Sequence, residues 1–315
     1  MADTLLAVSN LGSINIDHVY RVPHLVRPGE TLSSTSYQQV LGGKGANQSL
    51  ALARAGGVVS HWGRLNRTDD WAREMLQHSG VRTDDVVHAD EPSGHALIQV
   101  DDQGENAIIL FPGANHGFKS ADIDQLIAAM PSPGWLLLQN ECNALDYTMR
   151  RAYEHGLFTA FNPAPMTEAV KTLPLETCSL LFVNRGEAVG LTGVNDDAPL
   201  DELLDALVHR LPDSEIVLTL GADGVCYRSP STCLTLPAHQ VTPVDTTAAG
   251  DTFIGYFMAS RQVNQPIDVC LQRASTASAL CVQRTGAAPS IPEMSDVDQA
   301  FSNWTKLIPS AVGGA

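Results

Sequence analysis

Two kinds of hydrophobic pattern alternate along this chain. Short apolar runs that suit buried strands are separated by longer stretches in which apolar residues recur at helical spacing. This alternation favours a parallel sheet that is covered by helices. The pattern predicts one helix over residues 43–56 and strands over residues 5–11, 135–139, 159–161, 180–183 and 216–220.

Most of the predicted strands are followed by a polar residue or a glycine. These positions hold Asn140, Glu141, Asn162, Asn184 and Gly221. Because ligands bind outside the carboxyl ends of the strands in open α/β sheets, we expect these residues to face one crevice.

Two segments, residues 18–40 and 94–111, interrupt the alternation. Both are rich in strand-forming residues, half polar and free of strong helix signals. We therefore expect them to form a small β-sheet lid over the crevice. The sequence contains no repeat, linker or low-complexity tract, so residues 1–315 are expected to form one domain with a frayed tail at residues 310–315.

Composition and charge narrow the class of protein. The chain has 315 residues, 44% of them hydrophobic, and is long enough for one large α/β domain or two smaller ones. Its formal net charge of −16 disfavours nucleic acid and anionic membranes as partners, because both bind basic surfaces. No run approaches the ~20 apolar residues of a membrane span. A nucleotide is compatible with this charge, since backbone N–H groups and Mg²⁺ can hold its phosphates.

The cysteines and the N-terminus point to the cytoplasm. The six cysteines are scattered, have mostly apolar neighbours and form no C-x-x-C pair, which favours buried reduced thiols over disulfides or a zinc site. The N-terminal Met1-Ala2-Asp3 is acidic and lacks the basic region of a signal peptide. We therefore expect a cytoplasmic protein.

The segment from Val244 to Phe253 carries the strongest chemical signal. Its small residues, with Gly250 among them, can bend tightly and point successive N–H groups into one concavity. The apolar pattern that follows predicts a helix from about Asp251, and a helix N-terminus behind such a turn is an anion site. Asp251 is either an ordinary N-cap or the base that activates a hydroxyl for phosphoryl transfer.

A second polar cluster follows the first strand. Asn15 and Asp17 lie two residues apart on an extended segment, so their side chains face the same way and can bind neighbouring hydroxyls. The segment Gly42-Gly43-Lys44-Gly45-Ala46-Asn47 opens the first long helix, and its glycines let backbone approach a polar ligand closely. Neither the phosphate-binding pattern G-x-x-x-x-G-K-[ST] nor the dinucleotide pattern G-x-G-x-x-G is present.

Taken together, these segments resemble the ribokinase family of sugar and nucleoside kinases over nearly the whole chain. Gly-Gly-Lys-Gly-Ala-Asn at residues 42–47 and Asp-Thr-x-Ala-Ala-Gly-Asp at residues 245–251 match the two family signatures in order and spacing. The resemblance implies an α/β fold with a doubly wound, mostly parallel sheet flanked by helices, and a small β-sheet lid that often mediates dimerisation. It also implies transfer of the γ-phosphoryl group of ATP to a primary hydroxyl, so ATP is expected as co-substrate and a homodimer through the lid is expected.

The resemblance also implies roles for individual residues. Asp251 is the expected base, and the N–H groups of Ala248, Ala249 and Gly250 are the expected anion hole. The expected sugar-binding residues are Asn15, Asp17, Gly43, Lys44, Asn47, Ala96, Ile98, Leu110 and Glu141. The expected nucleotide-binding residues are Asn184, Thr219, Gly221 and Ser275, the last at a position where the family often carries a histidine near the adenine.

Two metal sites are implied in the same way. Asn184 and Glu187 match the Asn-x-x-Glu element that helps to place Mg²⁺ through water, although the pair also suits a helix N-cap and a first-turn acid. A K⁺ site near the anion hole, held mostly through backbone carbonyls, is implied at Asp245, Thr247, Cys281, Arg284, Gly286 and Ser290. The alternative for this second set is a pair of packed loops.

D-Ribose, phosphorylated to ribose 5-phosphate, is the first expectation for the substrate. Another sugar, a sugar acid or a nucleoside is the nearest alternative. An acidic or phosphorylated sugar becomes an option if Arg64 or Arg67 reaches the crevice, whereas both arginines can also be solvated surface residues. A sugar-responsive binding or regulatory protein without turnover is an alternative of another class, which the presence of Asp251 disfavours. A nicotinamide-dependent dehydrogenase is disfavoured by the missing glycine pattern.

Overall fold

The computed structural model describes residues 5–311. In this part of the chain the strands are, in chain order, β1 (Ala7–Leu11), β2 (Asn15–Arg21), β3 (Ser36–Gly42), β4 (Val59–Asn66), β5 (Val86–Ala89), β6 (Gly94–Val100), β7 (Asn106–Phe111), β8 (Gly134–Gln139), β9 (Phe158–Asn162), β10 (Leu180–Asn184), β11 (Glu215–Thr219), β12 (Val225–Arg228), β13 (Cys233–Leu236) and β14 (Ser310–Ala311). The α-helices are α1 (Lys44–Arg54), α2 (Asp70–His78), α3 (Ser120–Ala129), α4 (Leu145–Glu154), α5 (Arg185–Thr192), α6 (Leu200–Arg210), α7 (Ala249–Gln262), α8 (Ile267–Cys281) and α9 (Met294–Asn303).

The strands form two sheets. The larger sheet has ten strands in the order β14-β13-β12-β11-β10-β9-β8-β1-β4-β5. Its strands run parallel from β11 to β5, and β12, β13 and β14 add an antiparallel edge. Along the chain, β4 and β5 are added to one side of β1. The strands from β8 onward are added to the other side and end at the β14 edge. A crevice opens between β1 and β8 because their connections leave in opposite directions.

Helices cover both faces of the larger sheet, as β8 illustrates. Every residue of β8 is buried, with Trp135 and Leu137 in one hydrophobic core and Leu136 and Leu138 in the other. Residues of α1, α7 and α8 fill the first core, and residues of α3, α4, α5 and α6 fill the second. A strand that is buried on both sides carries a continuous apolar run. The predicted doubly wound fold is confirmed.

The smaller sheet has four strands in the order β3-β2-β6-β7 and lies apart from the larger one. β2 pairs with β6 in parallel, with Asn15 opposite Gly94 and Asp17 opposite Ala96. The predicted segment 18–40 is too short at both ends, because β2 begins at Asn15 and β3 runs to Gly42. Asn15 and Asp17, which were expected to bind neighbouring hydroxyls, are therefore themselves part of the small sheet.

The elements predicted for the large sheet and the first helix differ from the observed ones by no more than a few residues at their ends, but the predicted tail was partly wrong. Ser310 and Ala311 form β14 and pair with Thr235 and Leu234 of β13. Residues 312–315 lie outside the described part of the chain. None of the helices within residues 5–311 is long and apolar enough to cross a membrane.

Candidate active site

A polar cavity of about 610 Å³ lies in the crevice, between the carboxyl ends of the central strands and the inner face of the small sheet. All of the predicted sugar-binding residues line it, namely Asn15, Asp17, Gly43, Lys44, Asn47, Ala96, Ile98, Leu110 and Glu141. Further predicted residues on its wall are Asn184, Glu187, Thr219, Gly221, Thr247, Ala248, Gly250 and Asp251. The structure thus brings together residues that lie far apart in the sequence.

Asp251 lies in this cavity because α1 and α7 pack closely. A Cβ atom on Gly255 would lie 2.4 Å from Cβ of Ala51, so a larger residue there would push the two helices apart. The N-terminal turn of α1 meets Asp251 as a result. Asn47 Nδ2 donates to Asp251 Oδ2 at 3.3 Å, and Gln48 Nε2 donates to Asp251 Oδ1 at 2.9 Å.

Asp251 is not the N-cap of α7. The N-cap is Ala248, in the left-handed region with φ of 60°, and no side chain caps the helix. Asp251 is the third residue of the helix and is 8% exposed, with its carboxylate held by donors from α1. The capping alternative is therefore wrong, and the carboxylate has a position suited to accepting a proton from a hydroxyl in the cavity.

The turn before α7 offers fewer free donors than expected. The Ala249 N–H donates to the carbonyl of Thr246 at 3.2 Å, and Ala249 lines a neighbouring cavity rather than the polar one. Ala248 and Gly250 do line the polar cavity, and a Cβ atom built on Gly250 would meet no atom within 4 Å. Ala248 and Gly250 therefore remain as candidate anion-hole donors, at the positive end of α7.

The side chain of Asn15 is oriented by a residue whose role the sequence did not reveal. Asn115 Nδ2 donates to Asn15 Oδ1 at 2.7 Å, while Asn115 Oδ1 accepts the Ile14 N–H at 3.0 Å. Asn15 thus presents its amide nitrogen to the cavity as a donor. Asp17, two residues along β2, presents acceptors beside it. Burial and the nearby Glu141 raise the pKa of Asp17 to about 7.

Glu141 ties the first loop of the site to α1. Its Oε2 accepts from Ser13 Oγ and, at 2.9 Å, from the Lys44 N–H. Burial raises the pKa of Glu141, against the opposing effect of these hydrogen bonds and of the Lys44 charge. The Asp251 charge, assisted by Glu141 and Glu187, raises the pKa of Lys44 despite its burial. Lys44 is therefore a cation in the midst of carboxylates.

The two arginines that were considered for an acidic sugar lie elsewhere. Arg64 pairs with Glu91 at 3.0 Å, and neither Arg64 nor Arg67 is among the described residues that line the polar cavity. Lys44 is the only lysine or arginine among those residues. The prediction of an acidic substrate that rested on these arginines loses its support.

Asn184 and Glu187 form a reciprocal capping box at the start of α5. Asn184 Oδ1 accepts the Glu187 N–H at 2.8 Å, and Glu187 Oε2 accepts the Asn184 N–H at 2.9 Å. Both residues also line the polar cavity, and burial raises the pKa of Glu187. The capping alternative is correct as a description of the fold. It leaves Glu187 Oε1 for a ligand, so hard oxygen donors that suit Mg²⁺ face the cavity.

A second, more apolar cavity of about 360 Å³ adjoins the polar one. The two cavities share Thr219, Gly221, Thr246 and Gly250 on their walls. The predicted nucleotide residue Ser275 lines the apolar cavity, as does His239, which no sequence pattern indicated. Gly250 therefore lies at the junction of a slot suited to a planar base and a chamber suited to a polar ligand.

The imidazole ring of His239 is held in place by Thr276 and Trp304. Its Nε2 lies 3.0 Å from Thr276 Oγ1, and its ring stands edge-on to Trp304 with centroids 4.7 Å apart. Burial lowers the pKa of His239. Ser275 stands where the family often carries a histidine. His239 supplies a neutral imidazole ring on another wall of the same cavity.

Most of the residues predicted to hold K⁺ come together beside the turn. Asp245 Oδ1 accepts from the N–H and Oγ1 of Thr247 at 2.9 and 2.6 Å, and its Oδ2 accepts the Gly286 N–H at 2.8 Å. Cys281 Sγ lies 3.1 Å from Ser290 Oγ and 3.6 Å from the Thr247 carbonyl oxygen.

Arg284 is the exception in that set, since its guanidinium pairs with Asp296 at 2.9 Å. No group of three or more His, Cys, Asp or Glu side chains within residues 5–311 is arranged to hold a metal ion. A K⁺ ion bound here would have carbonyl and hydroxyl oxygens of the two loops as its ligands.

Comparison with known proteins agrees with this geometry. A family model described as pfkB family carbohydrate kinase matches residues 6–294. The ribokinase of Schizosaccharomyces pombe is 35% identical over 309 residues, which cover 93% of this chain and 96% of that protein.

Solved structures show the same fold. The structure of ribokinase from Cryptococcus neoformans var. grubii in complex with ADP is 35% identical, covers 93% of this chain and 98% of its own, and has a TM-score of 0.80. The structure of Arabidopsis thaliana ribokinase complexed with ribose and ATP is 27% identical, covers 94% of this chain and 98% of its own, and has a TM-score of 0.84. The chain belongs to the pfkB family of carbohydrate kinases.

Proposed function

We propose that the protein transfers the γ-phosphoryl group of ATP to the primary hydroxyl of D-ribose, giving ribose 5-phosphate. The observation that carries this proposal is the position of Asp251. Its carboxylate is buried, is held by amide donors and lines the polar cavity, directly after Gly250, which lines both cavities. A substrate hydroxyl in the polar cavity can give its proton to this carboxylate as the oxygen attacks the phosphorus.

The polar cavity is suited to a neutral sugar with neighbouring hydroxyls. Asn15 offers a donor and Asp17 offers acceptors on the same face of β2. Asn47 Oδ1 is buried and has no hydrogen-bond partner among the described residues, as expected of an acceptor that a hydroxyl completes. Relatives that share the fold at 35% identity are ribokinases, which supports ribose over other sugars.

The apolar cavity and the start of α7 are proposed to hold ATP. The adenine would lie in the apolar cavity against His239 and Ser275, and the phosphates would pass Thr219 and Gly221 toward the N–H groups of Ala248 and Gly250. Mg²⁺ would be held through water by Asn184 and Glu187, where it would neutralise phosphate charge. The proposed K⁺ site at Asp245 would keep the turn before α7 ordered.

A homodimer through the small sheet is proposed from its outer face. Leu97, Ile109 and Phe111 point away from the polar cavity and are 41%, 65% and 46% exposed. Tyr37 stands on the same face and is 49% exposed. His18 and His95 lie among these residues on the same face. A face with several exposed apolar and aromatic side chains suits the same face of a second copy.

A cytoplasmic location is proposed on the cysteines. All six fall within the described part of the chain, none is paired in a disulfide, and all but the half-buried Cys233 are buried. Free thiols of this kind are typical of reducing compartments.

The first experiment measures ADP formation from Mg-ATP with ribose, 2-deoxyribose, fructose, 2-keto-3-deoxygluconate and several nucleosides, in K⁺ and in Na⁺. Turnover with ribose that depends on K⁺ and disappears in Asp251→Asn is the expected result. Turnover with another compound alone would keep the kinase chemistry and move the substrate. Ribose binding without any turnover would overturn the kinase proposal in favour of a sugar-responsive binding protein.

A further inference from the structure

A chain of buried side-chain amides runs beneath the candidate base. Gln48, Gln139 and Asn10 are 0%, 1% and 0% exposed, and none of them belongs to the sugar-binding set expected from the sequence. They come from α1, β8 and β1, the elements that flank the crevice. Buried amides are costly unless their hydrogen bonds are made, so their partners are informative.

The hydrogen bonds of this amide chain diverge from Gln139, which donates to both of its neighbours. Gln48 Nε2 donates to Asp251 Oδ1 at 2.9 Å, and Gln48 Oε1 accepts from Gln139 Nε2 at 2.7 Å. Gln139 Nε2 also donates to Asn10 Oδ1 at 3.0 Å, while Asn10 Nδ2 donates to the Gly45 carbonyl at 2.9 Å. The chain therefore links the base to the glycine-rich turn at the start of α1.

This pattern fixes which way the Gln48 amide faces. If the amide turned over, its oxygen would face the Asp251 carboxylate and its nitrogen would face Gln139 Nε2, so both contacts would become repulsive. In the observed orientation an N–H points at one oxygen of the Asp251 carboxylate, and both groups are buried. The bond that Gln48 Oε1 accepts from Gln139 polarises the Gln48 amide and strengthens its donation to Asp251.

We propose that Gln48 is a positioning residue for Asp251: it aims the carboxylate at the polar cavity, and Gln139 holds Gln48 in the required orientation. This inference rests on the proposed function, because it concerns the same base. It assigns Gln48 no contact with the sugar, since Gln48 is not among the residues that line the polar cavity. Its removal should therefore slow turnover and leave sugar binding nearly unchanged.

Gln48→Met tests the proposal, because methionine has a similar length and cannot donate. Gln262→Met is the matched control. Gln262 is also a fully buried glutamine, and it bonds the backbone of Leu6 and Val58 at the far end of α7. Both variants lose buried hydrogen bonds and some stability, but only the first loses a donor to Asp251.

For Gln48→Met we expect kcat to fall about 10- to 100-fold, as for the loss of one hydrogen bond to a charged group, with KM for ribose within about threefold. Gln262→Met should keep the kcat and the KM of the parent enzyme. Combining Gln48→Met with Gln139→Met should add little to the loss of kcat.

A folded Gln48→Met variant with the parent kcat, or with a raised KM and an unchanged kcat, would overturn the inference. If Gln48→Met does not fold, Gln48→Glu decides: it keeps the shape and the bond from Gln139 but sets a carboxylate against Asp251, and parent-like turnover at neutral pH would overturn the proposal. Absence of ribose turnover in the parent enzyme would instead count against the proposed function, so the two failures are distinguishable.

Discussion

The side chain of Asn115 holds that of Asn15 through a hydrogen bond of 2.7 Å, across 100 residues of sequence. This bond makes Asn15 a donor to the cavity rather than an acceptor. In Asn115→Asp the donor is replaced by a carboxylate oxygen, so the Asn15 amide should turn over and present its oxygen to the sugar. We expect KM for ribose to rise about threefold to tenfold with a smaller change in kcat, as measured by steady-state kinetics.

Asn143→Asp is a matched control for that substitution. The Asn143 amide bonds only the backbone of Phe118 and does not line the polar cavity. An equal rise in KM in both variants would show that the effect is a general one of buried charge rather than of Asn15 orientation.

Gly250 is expected to be required for turnover but not for folding. A Cβ atom there would meet nothing within 4 Å, so Gly250→Ala should unfold at a temperature close to that of the parent. The added methyl group would project into the junction of the two cavities and displace the transferring phosphoryl group. We expect kcat to fall about 100-fold, because small misplacements of reacting groups have effects of that size.

Gly186→Ala, in the first turn of α5, is the control for Gly250→Ala. A Cβ atom on Gly186 would lie 3.5 Å from Asn184 Oδ1, an ordinary contact, and Gly186 does not line the polar cavity. Gly186→Ala should retain most of the activity. Full activity in Gly250→Ala would exclude a phosphate path past this residue.

Sugar affinity is expected to depend on pH through Asp17. Its pKa is raised from 3.8 to about 7, and its carboxylate is needed as an acceptor when ionised. KM for ribose should therefore fall as the pH rises from about 6 to about 8. Asp17→Asn should bind ribose more weakly and should lose this pH dependence; a KM that stays flat with pH in the parent enzyme would contradict the assignment.

Loss of the Asp17 proton is expected to lower the stability of the protein, although it strengthens sugar binding. Between about pH 4 and pH 7 Asp17 keeps a proton in the folded protein that it has already lost in the unfolded chain. The folded state binds more protons in this window, so stability falls as the pH rises through it. At pH 8 Asp17→Asn should have a higher free energy of unfolding than the parent, by an amount on the order of 1 kcal/mol. Denaturant titrations measure this difference, and the same titrations at pH 4 should show no such gain.

His239 is expected to affect the nucleotide alone. Its ring lines the apolar cavity, and its burial keeps the imidazole neutral and suited to contact with a base. His239→Ala should raise KM for ATP about fivefold to tenfold and leave KM for ribose unchanged, since base contacts with flat rings contribute roughly 1–3 kcal/mol. Equal affinity for ATP in parent and variant, measured by calorimetry, would show that the base lies elsewhere.

The sequence predicts β1 and the strands from β8 to β11 because their interiors are buried on both faces. It missed β4, whose apolar run is broken by polar residues, and also β5, β12 and β13. A continuous apolar run such as β8 is a local signal, and so is the capping box formed by Asn184 and Glu187. The start of the small sheet was placed too late because Asn15 and Asp17 are polar, although they occupy alternate positions of a strand.

The site is harder to predict where it depends on contacts between distant segments. Gln48 lies beside Asn47 in a segment that was expected to bind sugar, yet its partner Asp251 is 203 residues away. Ala249 was expected to offer its N–H to an anion, but the turn consumes that donor internally. Neither outcome leaves a trace in hydrophobic periodicity, because each depends on how two chain segments meet in space.

Only Gly43 separates the last residue of β3 from the first residue of α1. Its φ of 91° and the 2.9 Å between a Cβ placed there and the Asn15 nitrogen leave no room for a side chain. Any tilt of the small sheet toward the larger one must therefore be absorbed at this single joint or passed on to the first turn of α1, which carries Asn47 and Gln48. A sugar held by the small sheet would thus be connected to Asp251 through one short stretch of chain, from Gly43 to Gln48, whose last two side chains donate to that carboxylate. A substitution that loosened Gly43 would therefore disturb the grip on the sugar and the aim of the base together.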